Sequence, residues 1–283
     1  MGGHFQVVVA RMSFNGRILL LSVIAVLLFP CIAQTQDVSK DEKNQAERVW
    51  DQMIAAKGGK ERLLQVETMV QEFRSYLKFA NPKFPNGEIH SVRAFHFPDR
   101  EWDWIDSGKT VFGSQAITAD LAAGSGYIGF PDGATRLRSD LGREKALLKE
   151  AQLVYLNETR WFQPKPVRLL RGKGIPHSVD AIETTLSDER IDFWISRTDH
   201  LPVTIIDYWH NEITHVLEPS YTYDFSDYHE AEGIKIPGTV AKTVLAGAPD
   251  KVRCYTILNP KLRDDLFTAR PRFADGPDAW KAQ

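Results

Sequence analysis

The strongest constraint on the fold is a succession of short runs in which apolar and polar residues alternate, separated by turn residues rather than helices. In Glu101-Trp102-Asp103-Trp104 the tryptophans fall on one side and the acids on the other, as expected of a half-buried antiparallel strand with a wet face. Phe95 and Phe97 share a side with His96 opposite, and Pro98-Asp99 supplies the turn between these runs. Further period-two stretches lie at Val179 to Leu186, Ile191 to Ile195, Val203 to Trp209, Tyr221 to Phe225, Ile234 to Val244 and Val252 to Leu258. Ser187-Asp188, Thr198-Asp199, His210-Asn211 and Glu232-Gly233 are the turn signals among them. Short strands recurring every 10–15 residues or so argue for an up-and-down meander that curls on itself. The expected fold class is mainly β (α+β), with a curved antiparallel sheet forming an incomplete β-barrel covered by two or more helices.

Two segments break the alternation. Ser39-Lys40-Asp41-Glu42 has the spacing of a capping box. After it Ala46, Val49, Trp50, Met53 and Ile54 mark one helical face, and Gly58-Gly59 ends the helix. A second helix is expected from Ser139 to about Asn157, with Leu141, Leu148, Ala151 and Tyr155 on one face. Before it, Gly124 to Gly133 reads as a glycine-rich loop. Gly124-Ser125-Gly126-Tyr127-Ile128-Gly129 spells the dinucleotide fingerprint, yet Phe130-Pro131-Asp132-Gly133 stands where a helix must continue. No cofactor is expected.

Residues 1–33 have the layout of a secretory signal, with Arg11 and Arg17 before an apolar run from Ile18 to Phe29. That run of about a dozen residues is short for ~30 Å of hydrocarbon. Cys31 and Ala33 place small residues for a peptidase, so the mature chain is expected to begin at Gln34 as one domain, 34–283. A lipidated Cys31 is disfavoured because Phe29 and Pro30 occupy the positions that call for small residues. With Cys31 removed, Cys254 remains as a packed strand thiol without a disulfide partner. The net charge of −2, from 35 basic and 37 acidic side chains, gives no reason to expect nucleic acid.

Signatures of catalysis are weak. His90, His96, His177, His200, His210, His215 and His229 lack the spacing of a zinc site, and His210 and His215 would fall on opposite faces of a strand. No nucleophile elbow or phosphate loop is present. Glu101 and Asp103 are explained as the wet face of their strand. Asn157-Glu158-Thr159 is formally a glycosylation sequon, accessible at a helix end.

Four segments resemble the outer-membrane lipoprotein-sorting (LolA/LolB-like) superfamily of bacterial envelope proteins. They are Ala55-Ala56-Lys57-Gly58-Gly59-Lys60-Glu61 with Leu64 and Val66, Asp199-His200-Leu201-Pro202, Tyr223 with Asp227-Tyr228 and Glu232-Gly233-Ile234-Lys235-Ile236-Pro237, and Leu258-Asn259-Pro260-Lys261-Leu262-Arg263-Asp264-Asp265-Leu266-Phe267. These are turn and cap residues. The resemblance therefore implies an open barrel with helices over its mouth, and in members that carry lipoproteins a cavity for acyl chains.

A curved sheet with few helices to cover it leaves a concave apolar surface, a natural site for a hydrophobic ligand. The expected function is a periplasmic, monomeric, non-enzymatic carrier of a lipid or lipoprotein acyl chains. The alternatives are an envelope hydrolase or an interaction module that uses the sheet edge. Phe95, Phe97, Trp102 and Trp104 are the candidate cavity wall, and Gly124, Gly126 and Gly129 a mobile rim.

Overall fold

The computed structural model describes residues 39–77, 83, 85–108, 110, 113–211, 215–244 and 250–282. The expected signal, 1–33, lies outside the described residues. Helix α1 (Lys40–Lys57) opens with the predicted capping box, Ser39 Oγ accepting from the Glu42 amide at 3.2 Å and Glu42 returning to the Ser39 amide. Gly58 closes it at φ 125°, and a Cβ there would meet the Gly233 carbonyl oxygen at 2.3 Å. A short helix α2 (Lys60–Leu64) follows.

The chain then enters the middle of a sheet. Strands β1 (Thr68–Leu77), β2 (Gly87–His96), β3 (Arg100–Asp106), β4 (Gln115–Asp120), β5 (Ser125–Gly129) and β6 (Thr135–Arg138) pair in sequence toward one edge. Helix α3 (Gly142–Ala151), extended by a π turn at Gln152–Leu156, carries the chain to β7 (Lys165–Leu170) at the other edge. From there β8 (Val179–Leu186), β9 (Glu189–Ser196), β10 (Pro202–Asn211) and β11 (Val216–Ser226) return inward. A small hairpin, β12 (His229–Ala231) and β13 (Ile234–Ile236), precedes β14 (Thr239–Val244) and β15 (Asp250–Leu258). The first and last strands of the sheet meet, with Met69 opposite Leu258. The result is a mostly β fold: an antiparallel sheet of 13 strands among the described residues, whose ladder ends at β6 and β7 without closing. The predicted strand at Ile234 to Val244 is two strands, because Pro237 cannot donate a ladder bond and the chain turns there.

The glycine-rich segment is not a loop. Ser125–Gly129 is an interior strand, paired to β4 on one side and β6 on the other. Its glycines permit close approach: a Cβ on Gly126 would meet Thr118 O at 2.5 Å, and one on Gly129 would meet Pro271 O at 2.1 Å.

Alternation along the strands divides the core in two. On the inner face Met69, Phe95, Phe193, Ile205, Tyr223 and Val240 pack beneath α1, α3 and the π turn. Trp50 of α1 meets Phe193 edge to face at 5.0 Å between centroids and donates Nε1 to Glu158 at 3.2 Å. On the outer face Val70, Val92, Trp102, Trp104 and Ala116 are covered by the C-terminal segment through Leu266, Phe267 and Phe273. Trp104 stacks on Phe273 and donates to its carbonyl at 3.0 Å.

The expected wet face of β3 is therefore corrected. The tryptophans and the acids do lie on opposite sides, but both sides are covered, and Glu101 and Asp103 are wholly buried on the inner one. The sequon is corrected too, because Asn157 and Thr159 are buried, bonded to Leu153 O and Gln152 Oε1.

The four segments that resemble the lipoprotein-sorting superfamily act as joints. Gly58 abuts the Gly233 turn, Tyr228 donates its hydroxyl to Pro202 O at 2.8 Å, and Asn259 Oδ1 accepts from the Glu67 amide at the head of β1.

Candidate binding cleft

Helix α3 stands inside the concavity and is pinned there by ion pairs along its length. Arg143 reaches Asp103 on β3 at 2.8 Å. Lys149 holds Asp207 on β10 at 3.0 Å and Glu189 at 2.6 Å. Glu150 is bonded by Lys242 of β14 and by the Tyr223 hydroxyl. Among the described residues, the helix and its contacts border two cavities on the inner face.

The larger, about 690 Å³, lies between α3 and strands β9, β10, β11 and β14. Leu147, Leu153, Leu217, Trp209, Tyr221 and Tyr223 give it aliphatic and aromatic walls. It opens to solvent at Trp209 and Leu217, which are 43% and 46% exposed. The smaller, about 210 Å³, lies on the other flank of α3, where Phe73, Phe95, Val240 and Val252 surround Gln71 and Arg93. Leu147, Glu150 and Lys242 border both.

Burial sets the electrostatics. Asp207 is pushed up by desolvation, against the opposing pull of Lys149. Burial alone would lower Lys149, but its hydrogen bond to Glu189 and the charge of Asp207 outweigh that and raise it. Tyr223 is raised by burial and then by the Glu150 charge, so its hydroxyl stays a donor. Glu101 is fully buried, and neither carboxylate oxygen has a hydrogen-bond partner among the described residues. Desolvation and the Asp103 charge push it well above the usual carboxylate range. The carboxylates Glu189, Asp207 and Glu150 are each held by a lysine, so they stabilise the position of α3.

Of the predicted wall and rim, Phe95 borders the smaller cavity. Phe97 stacks on Phe95 at 6.0 Å in the same inner core. Trp102 and Trp104 lie on the opposite face beneath the C-terminal segment. Gly124 turns the chain into β5 at φ 64°, while Gly126 and Gly129 sit within that strand. The structure thus brings the phenylalanines together and separates them from the tryptophans. Sequence reasoning missed Arg93, Lys149, Glu150 and Lys242. The available signal was a charged residue in phase with apolar neighbours: Arg93 is in step with Phe95, and Lys242 with Val240. His210 and His215, expected on opposite faces, come within 6.1 Å at the end of the β10–β11 hairpin. No cluster of three or more metal-ligating side chains occurs among the described residues. No described helix is long and apolar enough to cross a membrane.

No family model and no curated protein matches the chain. Solved structures do. An outer membrane lipoprotein-sorting protein domain from Vibrio parahaemolyticus aligns at 11% identity and TM-score 0.47, over 80% of this chain and 97% of that one. A DUF1329 family protein from Desulfovibrio piger aligns at 12% and 0.47, over 78% and 96%. A LolA superfamily protein from Nitrosomonas europaea aligns at 13% and 0.48, over 79% and 97%.

Proposed function

We propose that the protein is a non-enzymatic carrier of an apolar or amphiphilic ligand, a lipid or the acyl chains of a lipoprotein, in the bacterial cell envelope. The observation that carries this reading is the open cleft of about 690 Å³ on the inner face, walled by Leu147, Leu153, Tyr221 and Tyr223. Its volume falls in the range of small-molecule sites, and Lys149, Asp207, Glu150 and Lys242 at its walls lie in ion pairs. Each methylene buried there contributes about 0.8 kcal/mol, so 8 to 10 carbons give roughly 6–8 kcal/mol before ordering losses, enough for micromolar binding. The signal-like residues 1–33 support the envelope setting, with residues 34–283 acting as a soluble periplasmic carrier.

The test is native mass spectrometry after mild purification, paired with titration of a fluorescent fatty-acid probe. The expected result is co-purifying or added lipid at one equivalent, with a change in tryptophan emission from Trp209 at the cleft mouth. Protein that arrives empty and takes up no lipid at high micromolar concentration would refute the carrier reading.

A further inference from the structure

The smaller cavity has a feature that an apolar pocket does not need. Gln71 is 3% exposed, and its Nε2 has no hydrogen-bond partner among the described residues. A buried amide left unmatched costs about 1–3 kcal/mol. Beside it is Arg93, whose guanidinium lies over Phe73 at 4.6 Å. The nearest carboxylate to its Nε is Asp103 at 3.6 Å, beyond hydrogen-bond length, and Nε is likewise unmatched. Asp103 already accepts from Arg143 at 2.8 Å and Ser91 at 3.0 Å. The other cation at the cavity, Lys242, is committed to Glu150. One unpaired guanidinium N–H and one amide N–H therefore face a small space walled by Phe73, Phe95, Ala151, Tyr155, Val240 and Val252, with Leu147 and the Glu150–Lys242 ion pair at its border with the larger cleft.

We infer that this cavity is a head-group subsite in which Arg93 and Gln71 hold the carboxylate of a single-chain fatty acid, with the tail running past Leu147 into the larger cleft. The inference rests on the carrier reading and narrows its ligand. A space of about 210 Å³ is below the usual size for a whole ligand, so it takes a compact head and not a glycerophospholipid's. A planar guanidinium matches a carboxylate in geometry, and the amide supplies a further donor. Leu147, which borders both cavities, gives the tail an apolar path along α3.

Calorimetry at pH 8 with dodecanoic acid, dodecanol and dodecyl phosphate separates the possibilities. The expected result is that the acid binds about 10- to 100-fold tighter than the alcohol, the range of a charge-assisted hydrogen bond. Arg93→Met and Gln71→Leu should each reduce that preference, lowering acid affinity more than alcohol affinity, because a carboxylate accepts stronger charge-assisted bonds than a hydroxyl. Gln71→Leu guards against misfolding of the arginine variant, since it removes no charge. Equal affinity for acid and alcohol in the unaltered protein would overturn the head-group inference while leaving the carrier reading intact. Preference for the phosphate would overturn the choice of carboxylate. Binding of none of the three would overturn both.

Discussion

Lys57 offers a direct test of how burial is handled in this fold. Its side chain is wholly buried at the end of α1, with Nζ donating to the Tyr155 carbonyl at 2.6 Å and lying 5.7 Å from the Tyr228 ring. Desolvation lowers its pKa from 10.5 to about 7. That fall corresponds to a penalty of about 5 kcal/mol on the charged form. Between about pH 7 and 10.5 the unfolded chain binds a proton that the folded chain does not, so stability rises with pH across that window. Below about pH 7 the penalty is complete, and above 10.5 it is gone. Lys57→Met keeps the apolar stem and removes the titration, but leaves the Tyr155 carbonyl without its donor, a loss of about 1–3 kcal/mol. The variant should therefore be about 2–4 kcal/mol more stable than the parent at pH 6 and about 1–3 kcal/mol less stable above pH 10.5. Urea unfolding of both proteins at pH 6, 8 and 10.5 measures the difference, and other titrating groups cancel in the comparison. A difference that stays flat with pH would refute the reasoning.

Three further outcomes are expected. Trp50→Ala should cost about 3–5 kcal/mol in a denaturant titration, because it opens a cavity against Phe193 and removes a donor from buried Glu158; a loss below ~1 kcal/mol would make α1 peripheral. Gly129→Ala drives a Cβ into the Pro271 carbonyl and should cost about 1–3 kcal/mol, with a change in Trp104 emission as the C-terminal segment shifts. Glu101→Gln should stabilise the protein progressively as pH rises above the unfolded carboxylate value, since the folded state retains a proton there that the unfolded state releases; equal melting shifts at pH 4 and pH 8 would contradict this.

The strand pattern carried the fold where one face is apolar and turns are punctuated. Ser187-Asp188 and Glu232-Gly233 do take the positive φ of tight hairpins, and the capping box at Ser39 starts α1 as expected. Strand β5 escaped notice because Gly126 and Gly129 read as loop signals when they are close-approach positions. The site was less legible. Alternation shows that Glu101 and Trp102 lie on opposite sides of β3, but not which side the helices cover or that the C-terminal segment roofs the other. Both facts depend on contacts between residues far apart in the chain. The charges of α3 meet partners on β3, β10 and β14, which no local period encodes.

The seam where β1 meets β15 also sets a schedule for folding. About 180 residues separate the ends of these strands at Leu77 and Leu258, so the seam is a long-range pairing that forms slowly. Until it forms, β1 has its hairpin mate on one side and an open ladder on the other. Charged residues on a strand blunt such an edge, and Glu72 and Arg74 stand along β1 facing Tyr255 and Arg253 of the strand yet to arrive. The inner surface can be completed only from both directions at once. A chain arrested before β15 would hold two half-sheets with the smaller cavity left open at the seam, since Gln71, Phe73 and Phe95 stand on one half and Val240 on the other.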